Sequence, residues 1–294
     1  LSDEDDARTE RPHAAILAEA AAVAGQAPSV HNTQPWRWRV HPDALDLYAD
    51  RSRQLLRTDD DGRLLTLSCG TTLHHARLAL AAEGWRPDVV RFPDPSDPDH
   101  LARLTLAEPT EVTAAAVRLF QATEMRRTDR RPVSDEAVDP EAIAAIGRAV
   151  LAEGARLHQL RPEQLVELAS AAARAQSAEL LDPEWQAELE YWAGGARPVG
   201  AGMPDTVIPS QPPQTTVPGR DFGHPGTLPA SAGHDRAAVY AILYGDEDAP
   251  AAWLPAGEAL SSGWLIATEL GVSVVPLSGA VEVTSTRQIL RRLL

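Results

Sequence analysis

The chain has 294 residues, of which 44% are apolar and 23% charged, an ordinary globular composition that excludes wholesale disorder. It carries 42 acidic against 27 basic groups, for a net charge of −15, and every basic residue is arginine. Without lysine there is no amine for a Schiff base, a P-loop or a Ser–Lys pair, and the acidity speaks against a nucleic-acid partner, which needs a basic stripe.

The N-terminal stretch Leu1-Ser2-Asp3-Glu4-Asp5-Asp6 lacks the basic region of a signal peptide. An Ala-rich helix is predicted over 13–24, closed by Gly25. A polar loop follows over 27–35. Strict alternation in 36–40 predicts a strand, and 45–48 reads as its hairpin partner. A long helix over 64–82 stops near Gly84. Strands over 89–92 and 101–106 and a helix over 113–123 complete the first part. The lone Cys69 allows no internal disulfide and implies no oxidising compartment.

The second part predicts helices over 141–152, 163–178 and 183–192, with a strand over 156–160. Residues 193–230 then hold eight prolines and seven glycines without periodicity, the mark of a linker or of a functional lid. Order resumes with a strand over 238–244, a helix over 251–270, a strand over 272–275 and a helix from 284. Mixed helices and strands make the fold class α+β. No apolar run reaches the ~18 residues of a membrane span, so cytoplasm is the default. A start at Leu1 and a stop at Leu294 inside an uncapped helix suggest that sequence is missing at either end.

Two motifs carry chemistry. Pro28-Ser29-Val30-His31-Asn32-Thr33-Gln34-Pro35-Trp36 packs short polar side chains between a helix end and a strand. Such groups satisfy turn amides, or they present amide donors and acceptors to a planar heteroaromatic ligand. Met125-Arg126-Arg127-Thr128-Asp129-Arg130-Arg131-Pro132 holds four arginines in an acidic chain. It is either a solvated basic turn or a phosphate grip. His74 and His75 are adjacent on a helix and point about 100° apart, so a shared metal is not expected. No Gly-x-Ser-x-Gly elbow and no Gly-x-Gly-x-x-Gly turn is present, which disfavours a hydrolase and a Rossmann site.

Together the two motifs resemble those of the nitroreductase superfamily, and most closely its Acg-like subfamily, over nearly the whole chain. Arg126, Arg127, Thr128 and Arg130 match its Arg-Arg-Ser-x-Arg segment, with Thr for Ser, and residues 28–36 match its Pro-Ser-x-x-Asn-x-Gln-Pro-Trp loop. The weaker Ser68-Cys69-Gly70 and Leu73-His74-His75 also match. The two motifs stand in inverted order here. That implies a duplicated fold whose halves, 1–123 and 124–294, form an intramolecular pseudo-dimer of helix-surrounded mixed or antiparallel sheets, each half retaining one motif.

The resemblance further implies flavin mononucleotide (FMN) as cofactor, NAD(P)H as a possible co-substrate, and transfer through flavin N5 to a nitroaromatic, quinone or related acceptor. Arg126, Arg127, Thr128 and Arg130 would hold the phosphate. Pro28, Ser29, Val30, His31, Asn32 and Gln34 would border the flavin. Pro276, Leu277 and Ser278 would approach its ring, and 193–230 would cover it. No catalytic side chain is assigned, with His31 the one titratable candidate. A monomer would suffice, with a homodimer left open. Two rival readings are an FMN-storing protein with little turnover and a flavin-dependent oxidase or dehydrogenase of a biosynthetic pathway.

Overall fold

A computed structural model describes residues 11–131, 133–194, 200–229 and 234–294. The elements follow the predicted order: α1 (His13–Ala24), β1 (Trp36–Val40), β2 (Ala44–Ala49), α2 (Arg63–Ala82), β3 (Trp85–Arg91), β4 (His100–Pro109) and α3 (Ala114–Met125). Then come α4 (Pro140–Ala152), β5 (Arg156–Gln159), α5 (Pro162–Leu180), α6 (Pro183–Trp192), β6 (Ala241–Tyr244), α7 (Pro250–Glu269), α8 (Gly279–Glu282) and α9 (Thr284–Arg292). Strands β1–β4 form an antiparallel sheet of order β1-β2-β4-β3, and β5 pairs with β6 antiparallel. The predicted strand over 272–275 is not a strand. Only an isolated parallel bridge between Thr128 and Val274 occurs there. No helix among the described residues is long and apolar enough to cross a membrane.

Strong local signals set the helix ends. Asp139 and Asp182 cap α4 and α6 by accepting from Glu141 N and from Glu184 N and Trp185 N, each ahead of a first-turn proline. Gly84 and Gly271 close α2 and α7 at φ 79° and 71°, a left-handed conformation that costs glycine nothing.

The centre of the molecule is the crossing of α2 and α7, each 20 residues long. A Cβ added to Gly70 would lie 2.1 Å from the Leu254 carbonyl oxygen, and one added to Gly257 would lie 1.9 Å from that of Leu67. Glycine at both positions is what lets the backbones touch. One turn further on, His74 and Ser261 meet at 2.9 Å. The pairs 67 with 254, 70 with 257, 74 with 261 and 84 with 271 all share one sequence offset, so the crossing is reciprocal.

Beside it, fully buried Glu258 accepts from Arg77 Nη1 and Arg91 Nε at 2.7 Å each, and Arg77 also reaches Glu153. Two arginines on one carboxylate make the burial tolerable, because an unpaired charge there would cost several kcal/mol.

Candidate functional site

The loop after α1 lies against α2. The Pro28 carbonyl accepts from Thr71 Oγ1 at 2.5 Å, Val30 N donates to Ser68 Oγ at 3.3 Å, and Cys69 Sγ donates to the Pro35 carbonyl at 3.2 Å. Within the loop, His31, Asn32 and Gln34 have φ of 49°, 53° and 48°. Left-handed backbone costs a residue with a Cβ roughly 1–2 kcal/mol, with asparagine the most tolerant. Side chains hold the strained form. Ser29 Oγ accepts from Gln34 N at 2.9 Å, and Arg53 Nη1 donates to the carbonyls of Thr33 at 3.1 Å and Gln34 at 3.4 Å.

This geometry turns both carboxamides toward the Pro/Gly-rich segment. Asn32 Nδ2 donates to the Gly202 carbonyl at 3.0 Å, and Gln34 Nε2 donates to that of Gly200 at 3.0 Å. Gly202 N returns a bond to the Asn32 carbonyl at 2.9 Å. Gly200 and Gly202 are themselves left-handed, which aims their carbonyls at the loop. Val30, Leu55, Trp192 and Ala201 pack together beneath, and Met203, Ile208 and Phe222 form a small core with Leu189 and Ala193. The described part of the segment, 200–229, is therefore packed structure. Residues 195–199 and 230 lie outside the described residues.

The arginine segment divides by environment. Arg127 is exposed and donates to the carbonyls of Glu124 and Arg126, while Arg131 pairs with Asp129. Arg126 and Arg130 turn inward instead. The Arg126 guanidinium lies 4.6 Å over the Trp264 ring, and its buried Nε has no partner. Burial, with Arg127 adding to it, pushes its pKa down to about 10. Arg130 has only marginal contacts, 3.4 Å to the Val207 carbonyl and 3.5 Å to Met203 Sδ, plus the Phe222 ring at 5.5 Å. Burial and then Arg220 lower its pKa.

Thr128 is tied by its bridge to Val274, and Asp129 N donates to the Val274 carbonyl. This brings the loop holding Pro276, Leu277 and Ser278 beside the arginine segment. Pro276 and Leu277 are exposed, and the Ser278 carbonyl starts α8 by accepting from Val281 N. Buried His31 is held well below the ordinary histidine range by desolvation, then by Arg220 and Arg130. It is a neutral imidazole at neutral pH.

Sequence reasoning missed Arg220, Arg53 and Trp264. Arg220 lies amid prolines and glycines with no motif around it, and only its burial marks it. Its guanidinium contacts Glu282 at 2.5 Å and Glu179 at 3.3 Å beneath the segment. Burial pushes Glu179 up to about 7, with Arg220 opposing and Glu282 and Asp221 reinforcing the rise. A carboxyl pKa raised on folding favours the folded state most below the unfolded value. That contribution is lost as pH rises from about 4.5 through about 7. Thermal midpoints of the wild type should therefore fall across this window, and Glu179→Gln should flatten the fall. Parallel profiles would remove Glu179 as the cause.

No family model matches the chain. Comparison with curated proteins finds clear relatives. The Mycobacterium tuberculosis H37Rv protein named "Putative NAD(P)H nitroreductase Rv3131" is 39% identical over 289 residues, covering 96% of this chain and 82% of that protein. "Putative NAD(P)H nitroreductase acg" of the same strain is 33% identical over 282 residues, covering 95% and 85%. "Uncharacterized protein Rv3127" is 32% identical over 284 residues, covering 95% and 82%. Similarity at this level and coverage, together with the loop and arginine motifs in place, means that the chain belongs to the nitroreductase superfamily, in its Acg-like subfamily.

Proposed function

We propose that this protein is an FMN-binding, nitroreductase-like oxidoreductase that uses NAD(P)H to reduce nitroaromatic, quinone or related acceptors. One observation carries the reading. Loop 28–34 and Arg130, far apart in sequence, meet the same backbone stretch around Gly200–Val207, bringing two amide donors and an uncompensated cation together.

The donor set suits FMN. Asn32 and Gln34 already donate to carbonyl oxygens at 3.0 Å, and ring or ribityl oxygens offer the same acceptor chemistry. Arg126 and Arg130 are cations without carboxylate partners, which a phosphate would complete. Bound FMN would supply the two-electron chemistry between nicotinamide and acceptor. The chain's own work is to bind, orient and exclude water. Pro28, Ser29 and Val30 fix the loop on α2. Neutral His31 lines it between two arginines. Thr128 and Arg127 flank the phosphate grip, and Pro276, Leu277 and Ser278 border the ring.

The duplicated, pseudo-dimeric architecture is part of the same proposal. The reciprocal contacts of α2 and α7 at one constant offset, with matching left-handed glycines after each, support two copies of one fold. The order Arg-Thr-acid-Arg also occurs twice, at 8–11 and 127–130, ahead of α1 and α4. The loop motif, by contrast, occurs once, at 28–36, so one flavin per chain is expected and a monomer would suffice.

A second reading, flavin storage with little turnover, is favoured by one observation. Gly200 and Gly202 occupy the donors of Asn32 and Gln34, so the segment covers the site. Protein saturated with FMN should release about one flavin per chain on heating; two would overturn the duplication. Anaerobic mixing with NADPH or NADH should bleach the flavin, and a nitroaromatic should restore its colour. Bleaching by dithionite alone would establish storage, and failure to hold FMN would overturn both readings.

A further inference from the structure

Three of the four residues from His31 to Gln34 are left-handed, and none of them is glycine. Backbone of this kind persists only where its surroundings over-determine it. The bonds that do so come from two sides. On one side, the segment around Gly200 and Gly202 takes up the Asn32 and Gln34 carboxamides through its carbonyl oxygens, at 3.0 Å each. A ring with carbonyl oxygens would take over the same donors, and of the loop's main chain this side holds the Asn32 carbonyl, through Gly202 N.

The other side is the single 3-10 turn after β2, Arg51–Arg53. Arg53 Nη1 donates to the carbonyls of Thr33 at 3.1 Å and Gln34 at 3.4 Å, so it grips the main chain and leaves both carboxamides free to aim. The turn is itself fixed to the loop's far end, because Asp50 N donates to the Pro35 carbonyl at 3.0 Å. The Asp50 carboxylate caps the turn by accepting from Ser52 N at 3.2 Å, and its second oxygen lies 3.8 Å from Arg53 Nε. Within the loop, Ser29 Oγ adds the bond from Gln34 N at 2.9 Å.

We propose that Arg53 is a positioning residue: it presets the left-handed loop from behind, so that the Asn32 and Gln34 carboxamides stay aimed when the covering segment gives way to a flavin ring. The assignment rests on the FMN reading and adds to it a residue outside both sequence motifs. Arg53 acts through the loop backbone. Its contribution to affinity is the ordering cost that the loop no longer pays when the ligand arrives.

The test titrates the apoprotein with FMN and with riboflavin, which lacks the phosphate, by flavin fluorescence. Arg53→Met keeps the apolar stem and removes the donors. It should weaken both flavins by the same factor, about tenfold, and move the visible absorption of the bound flavin toward that of free flavin. Arg53→Lys should recover most of the loss, because one nitrogen makes both bonds in the wild type and an ammonium has three donors. Wild-type affinity for both flavins in a folded Arg53→Met would overturn the assignment, and so would a loss confined to FMN, which would place Arg53 at the phosphate. If the wild type binds neither flavin, the FMN reading fails by itself, and amide exchange followed by NMR tests the hold on the loop. The Asn32, Thr33 and Gln34 amides should then exchange faster in Arg53→Met, with those of α2 unchanged. Equal exchange in the two proteins would overturn it.

Discussion

Replacing Arg126 and Arg130 together by leucine should weaken FMN binding by about two to four orders of magnitude, since each charge-assisted bond is worth roughly 1.5–3 kcal/mol. Leucine keeps apolar contact with Trp264 and Phe222, so folding should survive the change. Arg127→Ala and Arg131→Ala are the contrast. Arg127 is given to main-chain carbonyls and Arg131 to Asp129, so each change should alter affinity only a few-fold. Fluorescence titration with FMN separates the cases. Equal losses from all four arginines would mean that the cluster acts as diffuse charge, and unchanged affinity in the double variant would remove the phosphate grip.

The second large effect concerns stability. Gly257→Ala places a methyl group 1.9 Å from the Leu67 carbonyl oxygen, where backbone faces backbone and no flexible side chain can yield. The helices must separate, at a cost of about 3 kcal/mol. Gly147→Ala in α4 is the control. Nothing lies within 4 Å of its added Cβ, so it should be neutral or stabilising by about 0.5–1 kcal/mol. Urea unfolding followed by tryptophan fluorescence and far-ultraviolet circular dichroism should show one transition by both probes, shifted down only in Gly257→Ala. Two separate transitions would mean that the halves fold independently, and the crossing would lose its role as the shared core.

The element order was largely legible in the chain. Alternation in Trp36-Arg37-Trp38-Arg39-Val40 gave β1, and the apolar run from Leu64 ended by Gly84 gave α2, because both signals are local and strong. The strand expected over 272–275 failed for a physical reason. A β-prone run needs a neighbouring strand with free backbone groups, and Val274 found only Thr128. The Pro/Gly-rich stretch left linker and lid equally open, since burial of Ile208 and Phe222 depends on what packs above them.

The candidate site was legible as two motifs, and the resemblance alone added residues 276–278 and the cover over 193–230. Residue types marked Asn32, Gln34 and the arginine segment, because carboxamides and guanidinium groups carry the donors that a heteroaromatic ring and a phosphate need. Which arginines face inward was not readable. Arg126, Arg127, Arg130 and Arg131 are chemically identical in sequence, and only Trp264, Asp129 and the carbonyls around them sort them into bonded and unbonded.

By itself, then, the amino-acid sequence determined the local elements, the lysine-free acidic chemistry and the family. Each of these depends on residue type and short spacing. Only the tertiary structure decided that loop 28–34 and Arg130 meet one backbone stretch, that Gly70 and Gly257 bring two helices into backbone contact, and that Arg53 grips the loop's carbonyls from the turn after β2. Those are facts about burial and long-range pairing. A side chain's cost or use is set by which distant groups fill the space around it, and no local pattern encodes that.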